Sequence, residues 1–280
     1  MDLVHKEDVR PAVVANAFYP GDPTILSAEI ENMMKSSETI KLKGEIKALV
    51  CPHAGYMYSG RVAAVGYKLL KGCRYSIVAI ISPSHREYFP GVSVFNGKGY
   101  ETPLGMMSVA SEIADALIEQ SDRVNSSWAG HRLEHALEVQ LPFLQTVLPD
   151  VSIIPIVMGD QDKETCQLLG EALAKVLKGI PALVVASSDL SHYHPYSEAI
   201  TIDGFTSKLI ESYDEISLGN ALNNGTCEAC GGGPIISAMV ASKQAGANQA
   251  RVLIYKNSGD ITGEHTTVVG YLSAAFGNLN

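Results

Sequence analysis

Short apolar runs alternate with longer amphipathic stretches along the whole chain. Runs too short for helices lie at Ala48–Cys51, Ile77–Ile81, Val151–Met158, Ala182–Ala186, Val252–Tyr255 and Thr267–Ala275, and they predict buried strands. Between them, apolar positions recur at helical spacing over Arg61–Leu70, Val109–Gln120, Leu133–Val147, Lys163–Leu177, Glu198–Tyr213 and Ile235–Ala245. Near the start, Asp22-Pro23 reads as an N-cap followed by proline at the first helical position, opening a helix that runs to Lys35. Asn96-Gly97 inside Val92–Tyr100 predicts one antiparallel hairpin. Strands alternating with helices predict an α/β fold with a mixed, largely parallel sheet flanked by helices. No internal repeat, low-complexity linker or composition break divides the chain, so one domain is expected over residues 1–280.

Composition narrows the partners. The formal charge of −9 comes with no run of Lys or Arg, so no nucleic-acid partner is expected. No stretch of about 18 uncharged apolar residues is present, so no membrane span is expected. The polar start, Met1-Asp2-Leu3-Val4-His5-Lys6-Glu7-Asp8, does not read as a signal peptide, and the five cysteines are odd in number. A reduced, cytoplasmic location is the expectation.

Chemistry concentrates where strands end. Ala48–Cys51 runs into Pro52-His53-Ala54-Gly55-Tyr56, Ile77–Ile81 into Ser82-Pro83-Ser84-His85, and Ala182–Ala186 into Ser187-Ser188-Asp189-Leu190-Ser191-His192. A single histidine after a strand is usually a structural hydrogen-bonding group. Three such loops converge if the strands are neighbours, and the carboxyl edge of an α/β sheet is where ligands bind. Imidazole is both a common transition-metal ligand and a group that titrates near neutrality. Cys230, just before the Ile235–Ala245 helix, is a further ligand candidate, with a thiol pKa expected to be lowered by the helix N-terminus. Cys227 makes a CxxC with it but reads as an inert buried thiol. Asn257-Ser258-Gly259-Asp260 follows another strand, which makes Ser258 and Asp260 candidate pocket-wall residues, although the segment also fits a plain turn.

His131-Arg132-Leu133-Glu134-His135 matches H-x-x-E-H, a zinc-hydrolase pattern that needs both histidines on one helical face with Glu134 as base. Two other readings compete. Glu134, His135 and Glu138 form either a solvated helix face or a shell that orients the ligand histidines.

Taken together, these segments resemble a known family. Arg10-Pro11 through Phe18-Tyr19-Pro20-Gly21-Asp22-Pro23, Pro52-His53-Ala54-Gly55-Tyr56, Ser82-Pro83-Ser84-His85, Glu134-His135 through Leu141-Pro142-Phe143, Ser187-Ser188-Asp189 with His192, Cys230-Gly231 and Asn257-Ser258-Gly259-Asp260 are similar in order and spacing to the Memo family. In microbes that family is protein B of the AmmeMemoRadiSam system, which implies a functional link to a radical-SAM protein and an AMMECR-type protein. The resemblance implies a fold like that of class III extradiol dioxygenases. By position it makes His53 and His85 metal ligands, puts Cys230 in place of the dioxygenase carboxylate, and makes His192 the acid/base. Asp189 and His135 join His192 as catalytic candidates, with Tyr56, Glu134, Glu138, Ser258 and Asp260 around the pocket. Glu264-His265 departs from the pattern and has no family role. Iron is the expected metal, and the softer thiolate also admits copper or zinc. Three functions follow as alternatives: a metal-dependent redox enzyme on a small aromatic or related substrate, a non-catalytic metal- or peptide-binding protein, or the zinc hydrolase. A homo-oligomer is compatible with all three.

Overall fold

The computed structural model describes residues 2–279. In chain order, β1 (Val9–Arg10), α1 (Pro23–Ser36), β2 (Gly44–Cys51), α2 (Tyr56–Lys68) and β3 (Ile77–Pro83) come first. They are followed by β4 (Val92–Val94), β5 (Gly99–Thr102), β6 (Gly105–Ser108), α3 (Ser111–Ile118), β7 (Val124–Ser126), α4 (Leu141–Val147), β8 (Ser152–Met158) and α5 (Lys163–Val176). The remainder is β9 (Ala182–Ser187), β10 (His192–His194), α6 (Tyr196–Glu211), α7 (Glu215–Asn223), α8 (Gly232–Gln244), β11 (Gln249–Asn257), α9 (Ser258–Thr262) and β12 (Val268–Leu279).

A nine-stranded sheet forms the centre, in the order β10-β12-β2-β9-β3-β8-β4-β7 with β11 on β12. Its middle is parallel: β2 pairs with β9, β9 with β3, and β3 with β8. β3 is buried along its whole length, as a strand covered on both faces must be, and the mixed α/β architecture is the expected one. β12 and β11 add antiparallel strands beyond β2. α8 packs across β9, β2 and β3 with α5 against it, while α2 packs on β2, β11 and β12. Gly170 permits the α5–α8 approach, since a Cβ there would lie 2.6 Å from Val240 Cβ. Asp22 caps α1 as the sequence implies, accepting from the Thr24 and Ile25 amides. Among the described residues no helix is long and apolar enough to cross a membrane.

Two expectations fail. The Val92–Tyr100 hairpin does not form, because β4 pairs with β8 and β7 in the large sheet while β5 pairs with β1 and β6 in a separate three-stranded one. Leu133–Val147 is not one helix. Residues 131–137 are irregular, a single 3-10 turn spans Glu138–Gln140, and only Leu141–Val147 is α-helical. Leu133, expected on the apolar face, is 64% exposed. The physical reason is Arg10, which is fully buried and takes the carbonyls a helix would use: Nε donates to His131 O (2.9 Å) and Nη2 to Glu134 O (2.6 Å).

Candidate metal centre

Parallel pairing of β2, β9 and β3 sets three strand ends side by side, and their loops deliver His53, Asp189 and His85 to one place. His53 Nε2, His85 and Cys230 Sγ form one group of potential ligand atoms lying within 4.8 Å of one another. His85, Glu134 and His135 form an overlapping group. The imidazole rings of His53, His85 and His135 lie 4.7–5.4 Å apart, centroid to centroid.

Hydrogen bonding fixes the tautomers of the two ligand candidates. Ser187 Oγ donates its only proton to Ala136 O (2.7 Å) and accepts from Gln140 Nε2 (2.7 Å). Toward His53 Nδ1, 2.9 Å away, it can therefore only accept. Nδ1 of His53 carries the proton, and its Nε2 lone pair faces Cys230 Sγ at 3.2 Å. His85 Nδ1 lies 2.9 Å from Glu134 Oε1 and must donate to that carboxylate, which leaves its Nε2 bare. Each ring is thus pinned from behind and offers a lone pair in front, as metal-binding histidines do.

Burial would raise the pKa of Glu134, but hydrogen bonds from His135 and His85 outweigh it and hold the carboxyl below the usual range. Burial, reinforced by the neighbouring His85 and His135, pushes His53 well below an ordinary histidine, so it is neutral. Cys230 departs from expectation: burial, then the Asp189 carboxylate, push its thiol up rather than down. It sits before the α8 N-cap Gly231, and the helix amides are already occupied, Gly231 N by Ser188 Oγ and Gly233 N by Gln161 Oε1. A metal would have to displace the thiol proton on binding.

The other candidates take varied places. Asp189 is buried, accepts from the His53 amide (2.8 Å), and holds its second oxygen 4.0 Å from His53 Nε2. It orients His53 rather than His192, whose Nδ1 donates instead to Leu190 O (2.8 Å). His194 is held by Glu228 and Glu198. His135 packs on Phe18, with its enclosed Nδ1 3.1 Å from Glu134 Oε1. Three pocket-wall expectations are corrected, and Ser258 has a structural contact too. Glu138 is fully buried, paired with Arg10 and accepting from the Val13 and Val14 amides and Tyr19. Tyr56 is buried with its hydroxyl on Val139 O. Asp260 serves the Asn257 capping box and accepts from Tyr196, while Ser258 Oγ accepts from Val269 N.

The H-x-x-E-H reading is also corrected. His131 is buried away from the cluster with both ring nitrogens used, Nδ1 on Tyr100 and Nε2 on Ser93 O, and no helix aligns it with His135. Three residues that hold the site carried no assigned role in the sequence: Ser187, Gln140 and Arg10. Ser187 was signalled by its position at a strand end. Gln140 gave no signal, and Arg10 only a place in a motif.

A family model described as Memo-like protein matches residues 10–275. A MEMO1 family protein of Methanobrevibacter smithii is 38% identical over 280 residues, covering 96% of this chain and 99% of that protein. One from Methanosarcina mazei is 38% identical over 269 residues, covering 94% and 97%. Among solved structures, an uncharacterized protein of Escherichia coli K12 shares the fold at TM-score 0.57 and 15% identity, over 83% of this chain and all of that one.

Proposed function

The chain belongs to the Memo-like family, and from that premise we propose that it binds one first-row transition metal through His53, His85 and Cys230 and acts as a metal-dependent redox enzyme on a small aromatic or related substrate. The observation that carries the reading is the pair of pinned imidazoles, each presenting a bare Nε2 toward the same space as a cysteine sulfur. Donor chemistry fits a first-row metal: two neutral imidazole nitrogens admit iron, and a thiolate in place of a carboxylate moves preference towards copper or zinc. When bound, iron or copper there supplies one-electron redox chemistry.

The chain's own groups do the rest. Glu134 and Ser187 orient the ligand rings, and Asp189 fixes the loop of His53. His192, with a proton committed to Leu190 O, keeps Nε2 as an acceptor for a substrate proton. A purely metal-binding role without turnover is the second reading, and the ligand group of His53, His85 and Cys230 supports it without calling on His192.

Anaerobic reconstitution followed by metal analysis tests the site. Wild type takes up one equivalent, and a folded His53→Ala/His85→Ala variant takes up none; equal uptake by both refutes the centre. Turnover of a catechol panel by the loaded protein, abolished in His192→Ala with metal retained, separates enzyme from binder. Loss of metal in His192→Ala would instead make His192 a ligand.

A further inference from the structure

Cys230 and His192 also border a cavity of about 500 Å³ that neither His53 nor His85 touches. Its other walls come from α7, the start of α8 and the segment entering α5. That volume lies within the range of sites for small organic molecules. The walls are largely apolar, with Leu190, Ile216, Leu222 and Ile236 prominent, and Ile216 is left 57% exposed.

One residue on that wall calls for an explanation. Gly219 sits in the interior of α7, where glycine is the least favourable residue apart from proline. Neither crowding nor backbone conformation requires it, because a Cβ there would meet only Ile236 Cδ1, at an ordinary 3.5 Å. What the missing side chain leaves is cavity space.

The polar atoms limit what can enter. The amides at the start of α8 are spent on Ser188 and Gln161, and Gln161 Nε2 donates to Cys230 O (2.9 Å), so the helix start offers an anion no free amide, and the other uncharged donors on the wall include the side-chain amides of Asn220 and Asn223. Of the acidic groups on the rim, Glu215 is paired with Lys243 and Glu228 with His194, while Lys163 stands at the edge as the first residue of α5. His192 Nε2 remains as an acceptor with no protein partner among the described residues, because Nδ1 is the nitrogen that donates to Leu190 O.

We propose that this cavity binds a small neutral alcohol, its hydroxyl donating to His192 Nε2 and its apolar body lying against Ile216, Gly219, Leu222 and Ile236. The site stands on the cavity and on His192, and it needs no metal. Its failure and the failure of the metal centre are therefore separate results.

The test is an amide NMR titration of the full chain, without metal loading, using 3-phenylpropanol, its methyl ether and 3-phenylpropanoate. Saturable shifts at the Gly219, His192 and Gly233 amides are expected, with the alcohol binding about fivefold more tightly than the ether that cannot donate. Gly219→Leu fills the cavity and should abolish saturation without lowering Tm, and Ala229→Leu is a second plug if that variant does not fold. His192→Phe should bring alcohol and ether to parity. The proposal is overturned if neither neutral probe saturates, if the ether equals the alcohol in wild type, if the carboxylate binds most tightly, or if the folded plugged variants bind as wild type does.

Discussion

Replacing Glu134 by glutamine keeps the shape of the side chain and changes only its hydrogen-bonding character. The carboxylate accepts four donors: the His85 amide at Oε2 (2.6 Å), and His85 Nδ1, the His135 amide and the Ala136 amide at Oε1 (each 2.9 Å). An amide has one accepting oxygen and a donating nitrogen. With its oxygen at the Oε1 position, the new glutamine would face the His85 N–H with its own N–H₂, donor against donor. With the amide reversed, three donors are opposed, and moving the His85 ring proton to Nε2, the atom offered to the metal, would relieve only one of them. Hydrogen bonds to a charged group contribute about 1.5–3 kcal/mol each, so losing one and weakening three should cost about 2–4 kcal/mol in urea unfolding at pH 7. Metal affinity, read by competition with a chromophoric chelator, should fall by about 10–100-fold, as losses of ligand-orienting groups do. Since hydrogen bonds hold Glu134 below the usual carboxyl range, its contribution is present at neutral pH and fades as pH falls through the acidic range. The glutamine variant should therefore lose less stability than wild type between pH 5 and 3. A folded Glu134→Gln protein with unchanged metal affinity would show that His85 does not depend on this carboxylate.

Three other substitutions probe the frame. Arg10→Met removes a buried cation from Glu138 and frees the carbonyls of residues 131 and 134, so a loss of about 3–5 kcal/mol is expected by chemical denaturation; a loss below about 1 kcal/mol would mean that the pair does not hold the loop. Burial depresses His131 to about 3, so the unfolded chain binds a proton below pH 6.5 that the folded one refuses. Wild type should lose about 1.4 kcal/mol from this group between neutrality and pH 5.5, and His131→Gln should lack that part of the slope, as unfolding curves at both pH values will show. His131→Gln should also keep its full metal content, and loss of the metal would revive the H-x-x-E-H site. Gly170→Ala should cost about 1–3 kcal/mol through crowding against Val240 and Ser237 O, and an unchanged Tm would show that α5 and α8 have slack.

The parts of the fold set by local pattern were legible in the sequence. Continuous apolar runs marked β2, β3, β8 and β9, and because parallel strands with helical connections point the same way, the histidines that follow them had to emerge on one edge. The Asp22-Pro23 cap announced α1 for an equally local reason. What stayed illegible was decided by distant partners. Leu133, Leu137, Leu141 and Leu144 carry helical spacing, yet Arg10, more than 120 residues earlier, removes two carbonyls from any helix there. The acceptor role of Ser187 depends on Ala136 and Gln140, which no spacing links to it. Nearness to a helix start predicts a lowered thiol pKa for Cys230, but burial and Asp189 outweigh a dipole whose amides are already bonded.

That irregular loop is also what makes the centre possible. On a helix, consecutive residues point about 100° apart, and Glu134 and His135 could not both turn to His85. In the observed loop Glu134 grips both the ring and the amide of His85 while His135 lies 4.7 Å from that ring, centroid to centroid. Such a conformation leaves carbonyls without helical partners, and buried carbonyls must find others. Arg10 supplies them, and its own buried charge is answered by Glu138 at the far end of the same loop. The Glu138 carboxylate in turn takes the amides of Val13 and Val14, so the N-terminal segment and the loop hold each other in place. A guanidinium is suited to this task because its planar donors reach a carboxylate and two carbonyls at once, which a lysine could not do. The chain of dependence therefore runs from Arg10 through the loop to Glu134, and from Glu134 to the proton on His85 that leaves Nε2 bare.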